Sequence, residues 1–204
     1  MVKPELLDKL QQIVEPVVIS KGLVIWGIDL VQGSRPIVRI YVDTPKSTNI
    51  DSNLSQDILD SIDDGTNLKN ISASIDQCAE ISRIVGLAME VEDVFSSAYI
   101  LEVSTPGFSR TFFCLNQMDT YLGDIIEVTL NDFLVSCPTS LQGRKKIKGE
   151  LLAVNLDENT FDIGISNGQH PITLTLNWNI VRKASREHIF TMPEKPGKKR
   201  KNNN

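Results

Sequence analysis

The stretch Ser104-Thr105-Pro106-Gly107 separates two kinds of sequence pattern. Proline and glycine in neighbouring positions form turns readily, because proline fixes φ and glycine adopts backbone angles that other residues avoid. Before this turn, segments with helical periodicity alternate with strands, whereas after it short strands follow one another. A chain of 204 residues is long enough for two small domains. The turn therefore predicts a domain boundary.

The segment before the turn begins with a helix and a β-hairpin. Apolar side chains recur at helical spacing over residues 3–20. We expect Pro16 to kink or restart this helix, because proline lacks the amide donor, and Gly22 to end it. Residues 23–31 and 37–42 then predict two strands joined by a polar turn.

A second helix and a third strand complete this domain. Ser74-Ile75-Asp76-Gln77 is a capping-box pattern, in which two polar side chains satisfy backbone N–H groups at the start of a helix. The helix that follows carries an apolar face, which we assign to Cys78, Ile81, Val85 and Ala88. Residues 99–103 predict the last strand. This order indicates an α/β sandwich over residues 1–106, with the helices on one side of the sheet. Residues 45–75, rich in Asp, Asn and Ser, are expected to form an acidic, polar surface insertion.

The sequence after the turn predicts a small β-barrel over residues 110–190. A short helix is expected at residues 115–122, ended by Gly123. Five short strands follow, at residues 124–130, 147–154, 160–166, 172–176 and 180–183. Asn167-Gly168 is typical of a tight hairpin turn, and we expect the fifth strand to close the barrel, which removes exposed sheet edges. Residues 193–204 are too charged to pack and predict a disordered basic tail.

The composition argues against several classes of protein. No run of 18 apolar residues occurs, and the N-terminus lacks the apolar core of a signal peptide, so we expect a cytoplasmic protein that does not enter a membrane. Cys78, Cys114 and Cys137 lie far apart without a CxxC pair or a nearby histidine. They predict buried or half-buried free thiols rather than a zinc site. No phosphate loop, nucleophile motif or metal-hydrolase motif is present, which argues against an enzyme or a cofactor.

The net charge of −5 hides an asymmetry between the two ends of the chain. Residues 1–143 hold 9 Lys and Arg against 20 Asp and Glu, a balance of −11. Residues 144–204 hold 12 against 6, a balance of +6. The basic end is suited to RNA phosphates, whereas the acidic end is repelled by them or meets a basic protein.

Seven basic side chains are therefore the candidate RNA-binding residues. They form two groups in the barrel region: Arg144, Lys145, Lys146 and Lys148, then Arg182, Lys183 and Arg186. Contacts of this kind with phosphates are independent of sequence and sensitive to salt. Exposed aromatic side chains are not interleaved with them, which argues against sequence-specific readout of a single strand. A hairpin whose charges are merely solvated explains the same pattern.

Several motifs resemble the family of bacterial ribosome maturation factor RimP. The stretch Glu102-Val103-Ser104-Thr105-Pro106-Gly107-Phe108-Ser109-Arg110 resembles the family's strand and Ser-Pro-Gly-x-x-Arg signature, with Pro106, Gly107 and Arg110 at the inter-domain junction. Further similar segments are Gly22-Leu23-Val24, Val38-Arg39-Ile40-Tyr41-Val42-Asp43, Asp76-Gln77-Cys78-Ala79-Glu80-Ile81-Ser82-Arg83, Gly143-Arg144-Lys145 and Gly149-Glu150-Leu151-Leu152. Ser109 stands where the family usually has an acidic residue, and Thr111 where proline is common.

The resemblance implies an α+β protein, with an α/β domain followed by a small Sm-like or SH3-like β-barrel. It also implies a role in maturing the small (30S) ribosomal subunit through contact with ribosomal RNA or a small-subunit protein, without catalysis or a cofactor. We expect a monomer that binds the precursor subunit transiently and biases its conformational population. The alternative is a generic Sm-like RNA-binding module that acts outside ribosome assembly.

Overall fold

The computed structural model describes residues 4–45, 72–134, 141–166 and 171–187. The fold is α+β, and the chain divides into two compact units, Met1–Gly107 and Phe108–Asn204. Four sequence predictions lie outside the described residues: most of the insertion at 45–75, the Asn167-Gly168 turn, the thiol of Cys137 and the tail at 193–204.

The described residues of the first unit form two helices and a three-stranded sheet. Its elements are α1 (Pro4–Ser20), β1 (Val24–Val31), β2 (Ile37–Asp43), α2 (Ile75–Val91) and β3 (Ile100–Ser104). The strand order is β1-β2-β3, in which β1 and β2 are antiparallel and β2 and β3 are parallel. The order of helices and strands is the one that the sequence predicts.

Helix α1 ends as expected but does not restart at Pro16. The helix is continuous over Pro4–Ser20, because the proline removes a single backbone donor while Val14 and Val18 are fully buried on either side of it. Beyond the helix, Gly22 has φ of +71°. Its N–H donates to Ile19 O at 2.9 Å, and the N–H of Leu23 donates to Val18 O at 3.2 Å. These two bonds form a Schellman motif, which ends the helix and turns the chain into β1.

Helix α2 confirms the capping box and corrects one core position. The Gln77 backbone N–H donates to Ser74 Oγ at 3.1 Å, and the Ser74 N–H donates to Gln77 Oε1 at 2.9 Å. The buried face contains Cys78, Ile81, Val85 and Met89, whereas Ala88, which the sequence placed on it, is half-buried. Met89 continues the step of four residues from Ile81 and Val85, so it lies directly over the core.

The two faces of the first sheet carry different side chains. Val38, Ile40 and Val42 of β2 are buried against the helices. On the opposite face, Arg39 lies between its register partners Asp29 and Glu102, with N–O distances of 3.7 Å and 2.7 Å. The hydrogen bond and the charge of Glu102 raise the pKa of Arg39.

The second unit contains a six-stranded antiparallel sheet. Its strands are β4 (Thr111–Phe112), β5 (Ile125–Leu130), β6 (Lys146–Asn155), β7 (Thr160–Ile165), β8 (Ile172–Asn177) and β9 (Val181–Arg186), in the spatial order β4-β9-β5-β6-β7-β8. The expected short helix at residues 115–122 is instead two 3₁₀ turns, Leu115–Gln117 and Asp119–Tyr121. Leu115 and Met118 are both buried, and their spacing of three residues suits the period of a 3₁₀ turn.

The described strands do not close into a hydrogen-bonded barrel. Strand β9 pairs with β5 and β4, so it extends the sheet on one side. Strand β8 pairs with β7, and no ladder among the described residues joins β8 to β4. The expected closure by a strand near residues 180–183 is therefore not seen, although a strand does lie at that place.

A close approach between β6 and β7 gives a test of this sheet. A Cβ atom added at Gly149 would lie 2.5 Å from Ile163 Cγ2 and against the Gly164 carbonyl. The Gly149→Ala substitution should lower the free energy of unfolding by about 1–3 kcal/mol, because the strands have to separate. Chemical denaturation would measure this. Gly33→Ala is the control, since the nearest atom to its added Cβ is Arg35 O at 4.0 Å, and a loss of similar size there would contradict the prediction.

Candidate nucleic-acid interface

The outer face of the second sheet is set by the alternation of side chains along β5. Ile126, Val128 and Leu130 are buried, so Glu127 and Thr129 point to the opposite face. Residues directly opposite each other in antiparallel strands point to the same side. The lysines that are paired with these two residues therefore share their outer face.

Two cross-strand rows bring three of the predicted basic residues together. Lys146 of β6 and Lys183 of β9 flank Thr129. In the next row, Lys148 of β6 and Ser185 of β9 flank Glu127. The sequence placed Lys146, Lys148 and Lys183 in two separate groups, and the register unites them on one surface.

Part of this positive charge is balanced by carboxylates. Lys146 Nζ lies 2.8 Å from Glu127 Oε1, and Lys148 forms an ion pair with Glu187. Arg186 Nε lies 2.7 Å from Asp124 Oδ2; within the described residues this nitrogen makes no hydrogen bond, so the contact is an ion pair by distance alone. The Arg186 guanidinium also lies 5.3 Å from the centre of the Tyr121 ring. The Lys146 side chain is exposed, and an ion pair of that kind contributes only about 0–1 kcal/mol, so a phosphate can replace Glu127 there.

The other four basic residues, Arg144, Lys145, Arg182 and Lys183, form what we call the loop-side basic cluster. Across the described ranges, none of the four forms an ion pair with a carboxylate. Lys145 instead lies over the Phe133 ring, with Nζ 5.5 Å from the ring centre. Arg144, Arg182 and Lys183 are exposed, and Lys145 is half-buried.

Backbone hydrogen bonds hold this cluster around one end of β5. The Leu130 N–H donates to Lys145 O at 2.8 Å, and the Leu134 N–H donates to Arg144 O at 3.0 Å. On the other side, the Asn131 N–H donates to Ile180 O at 2.8 Å, two residues before Arg182. Arg144, Lys145 and Arg182 therefore come close to the same loop, residues 131–134, although their segments are almost 40 positions apart. Lys183 lies next to them, opposite Thr129 near the end of β5.

A cleft of about 480 Å³ opens beside the loop-side basic cluster. Its walls are the loop after β5, part of β8 and the turn before β9; the lining residues are Leu130, Asn131, Asp132, Phe133, Leu134, Leu174, Thr175, Leu176, Asn179 and Ile180. Phe133 is 63% exposed. No sequence motif singled out Phe133 as a candidate, and the available signal was an aromatic residue in a polar loop directly after a strand.

The junction residues occupy both sides of the division between the two units. Pro106 is buried, and Gly107 has φ of +70°, which favours glycine at this position. Arg110 O accepts a hydrogen bond from the Arg186 N–H at 2.8 Å, so its backbone supports the edge of β9. The assignment of Pro106, Gly107 and Arg110 to an inter-domain junction stays a prediction.

The side chains that could bind a metal ion are scattered over the described part of the chain. No group of three or more His, Cys, Asp or Glu side chains within it is placed to hold a metal ion. Cys78 is buried, and burial raises the pKa of its thiol, which keeps it protonated and unreactive. Cys114 is exposed, which corrects the expectation of a buried or half-buried thiol. None of the helices described here combines the length and apolar character that a membrane span requires.

Removing one carboxylate should strengthen the binding of RNA to this face. Glu127→Gln leaves Lys146 without its partner, so we expect a single-stranded RNA homopolymer to bind several-fold more tightly and with a steeper dependence on salt, by up to about 0.7 in the slope of log affinity against log salt. Fluorescence anisotropy at several salt concentrations would measure both quantities. Glu150→Gln is the matched control, because it changes the net charge equally but removes no ion pair among the described residues. Equal effects of the two substitutions would show that only net charge matters.

Comparisons with known proteins identify the family. The model of the RimP N-terminal domain matches residues 61–109. The chain is similar to the ribosome maturation factor RimP of Nitratidesulfovibrio vulgaris, at 40% identity over 197 residues, which cover 95% of this chain and 96% of that protein. The RimP proteins of Desulfovibrio desulfuricans and Lawsonia intracellularis are 36% and 34% identical, over 95% and 93% of this chain and 84% and 91% of their own lengths. Since identity at this level extends along nearly the whole of both proteins, the chain belongs to the ribosome maturation factor RimP family.

Proposed function

We propose that this protein binds the precursor of the small ribosomal subunit transiently in the cytoplasm and promotes its maturation without catalysing a reaction. Membership of the RimP family supports the role in ribosome maturation. The observation that carries the contact with RNA is the loop-side basic cluster, since its four cations lack carboxylate partners among the described residues. Such cations release counterions when they meet phosphates, which gives affinity for RNA of any sequence.

The two units are suited to different partners. Residues 1–107 hold 8 Lys and Arg against 16 Asp and Glu, whereas residues 108–204 hold 13 against 10. In the first unit, Leu87 and Val91 of α2 are 57% and 85% exposed and lie one turn apart, with the acidic residue Glu90 next to Val91 on the same helix. An apolar strip beside negative charge fits a basic small-subunit ribosomal protein better than it fits RNA.

The second unit is best interpreted as a small Sm-like or SH3-like barrel that is open between its edge strands. Its consecutive strands β5, β6, β7 and β8 pair in sequence order, and β9 returns to the far side of β5. The 3₁₀ turn Trp178–Ile180 makes the short connection from β8 to β9. We accordingly assign residues 1–106 to an α/β domain, residues 110–190 to the barrel and residues 193–204 to a basic tail.

Maturation without catalysis requires a difference in affinity between states of the precursor. A bound factor shifts a conformational equilibrium only as far as it binds one state more tightly, and about 1.4 kcal/mol shifts it tenfold. Phosphate contacts at an exposed surface can supply a difference in binding free energy of this size, because each contact is weak and several must be aligned at once. A precursor that holds its phosphates in that alignment is favoured, and a mature subunit that moves them releases the factor.

The decisive test is binding to purified small-subunit precursors. Replacing Arg144, Lys145, Arg182 and Lys183 with Gln should flatten the slope of log affinity against log salt by roughly three units, because four phosphate contacts are lost. The melting temperature should change little, since solvated charges contribute little to folding. Titrations at several salt concentrations, followed by co-sedimentation, would measure the slope and the binding.

The control for this test is the double substitution Lys146→Gln and Lys148→Gln, because those charges are already balanced by Glu127 and Glu187. It should change the slope by less than about one unit. An unchanged slope for the fourfold variant would contradict the proposed contact with RNA. Equal binding to unrelated structured RNA and to precursors would favour a generic Sm-like module that acts outside ribosome assembly.

The proposed domain assignment predicts two separately folded fragments. Phe108 is 65% exposed at the division between the units, so brief treatment with chymotrypsin should cleave after it. The fragments 1–106 and 110–190, expressed singly, should each unfold cooperatively with their own midpoint, because each has its own buried core. Circular dichroism during thermal unfolding would measure this. A fragment that is unfolded at room temperature would contradict the assignment.

A further inference from the structure

We propose that the cleft beside Phe133 receives one unpaired nucleobase of RNA, stacked on the Phe133 ring, while the loop-side basic cluster holds the neighbouring phosphates. This inference deepens the proposed function, on which it rests for the choice of RNA as partner. It adds a base-binding site to a surface that otherwise meets only the phosphate backbone.

The first argument is the exposure of Phe133. An aromatic ring that is 63% exposed contributes little to the core, and this one also contacts the cation of Lys145 at 5.5 Å. A ring that lines a cleft and has a lysine over one face is an arrangement in which a base can stack and its phosphate can reach the lysine. Stacking of this kind tolerates any base, since every base has a π face.

The second argument is a pair of amide side chains in the wall of the cleft. Asn179 is held by three hydrogen bonds: its N–H donates to Asn177 Oδ1 at 3.0 Å, its Oδ1 accepts from Asn159 Nδ2 at 3.2 Å, and its O accepts from Asn131 Nδ2 at 3.2 Å. Within the described residues, Asn179 Nδ2 and Asn131 Oδ1 make no hydrogen bond. A fixed donor and a fixed acceptor thus remain, and a base edge carries groups that complement both.

The third argument is the charge around the cleft. Asp132 is the one carboxylate among the lining residues. Two cations lie beside the same loop, since Lys145 contacts the Phe133 ring and Arg144 O accepts a hydrogen bond from the Leu134 N–H. These cations attract an anionic chain, and the apolar walls of the cleft admit a flat, uncharged ring. A volume of about 480 Å³ lies within the usual range of roughly 300–1,000 Å³ for small-ligand sites. An extended peptide along the edge of β8 is the competing occupant, but the neighbouring cations do not favour the basic peptides that ribosomal proteins supply.

The experiment uses the full chain and short oligouridylates that contain one 2-aminopurine, whose fluorescence falls when it stacks on an aromatic ring. Phe133→Ala should weaken binding by about 5- to 100-fold and abolish the fluorescence change, because one base loses its stacking partner. The salt dependence should not change, since no charge is removed. Phe133→Trp should bind at least as tightly as the wild type. Phe108→Ala, at a comparably exposed phenylalanine, is the matched control and should change affinity less than twofold.

Two further measurements distinguish the possible outcomes. Thermal unfolding of Phe133→Ala should match the wild type, and duplex RNA of equal length should bind both proteins equally, because paired bases cannot enter the cleft. Equal oligouridylate binding by Phe133→Ala and wild type, or an equal loss on duplex RNA, would overturn the base site. Binding of a basic peptide, but not of oligouridylate, that depends on Phe133 would also overturn it. None of these results would affect the salt-dependent binding of precursor subunits through the basic cluster, which tests the proposed function separately.

Discussion

The register of β5 between β6 and β9 is the constraint on which the candidate interface depends. Ile126, Val128 and Leu130 must face the core, and this fixes Glu127 and Thr129 on the outer face. The pairing of β6 and β9 with β5 then requires Lys146, Lys148 and Lys183 to point to the same outer face. A slip of one residue in either pairing would bury Lys146 or Lys183 and expose an apolar side chain, at a cost of several kcal/mol. The hydrophobic core therefore specifies the position of the positive charges.

The surface charge is graded along the direction of β5. At the start of the strand, Asp124 and Glu127 accept contacts from Arg186 and Lys146, so the local field is nearly neutral. At its end, the loop-side basic cluster has no carboxylate partner among the described residues. A polyanion approaching this face gains most at the loop end, where no existing ion pair must be broken. If RNA is the partner, as proposed, this gradient would give the RNA chain a preferred place of contact although the phosphates themselves are identical.

Local sequence patterns predicted the elements of the fold well and the arrangement of the candidate interface only in part. The capping box at Ser74 and the glycine stop at Gly22 depend on neighbouring residues alone, so they could be read directly. Two other features could not be predicted from neighbouring residues. The short strand β4 is defined by its pairing with β9, about 70 positions away, and the choice of 3₁₀ geometry at Leu115–Gln117 depends on which side chains the core accepts. Seven basic residues were identified from composition, but their separation into paired and unpaired sets follows from cross-strand contacts that no local pattern encodes.

In the proposed function, the acidic charge of the first unit limits how tightly the protein binds a precursor. The first unit, with a balance of −8, is repelled by RNA, and the repulsion opposes the attraction of the basic surface wherever both units lie near phosphates. A binding site that presents RNA to the basic cluster and a cationic protein surface to the acidic unit removes this electrostatic repulsion. RNA without protein does not remove it. In the proposed function, selectivity for a ribonucleoprotein over free RNA would follow from the unfavourable charge as much as from the favourable charge. Both contributions would be electrostatic and solvent-exposed, so the binding would be sensitive to salt and readily reversed.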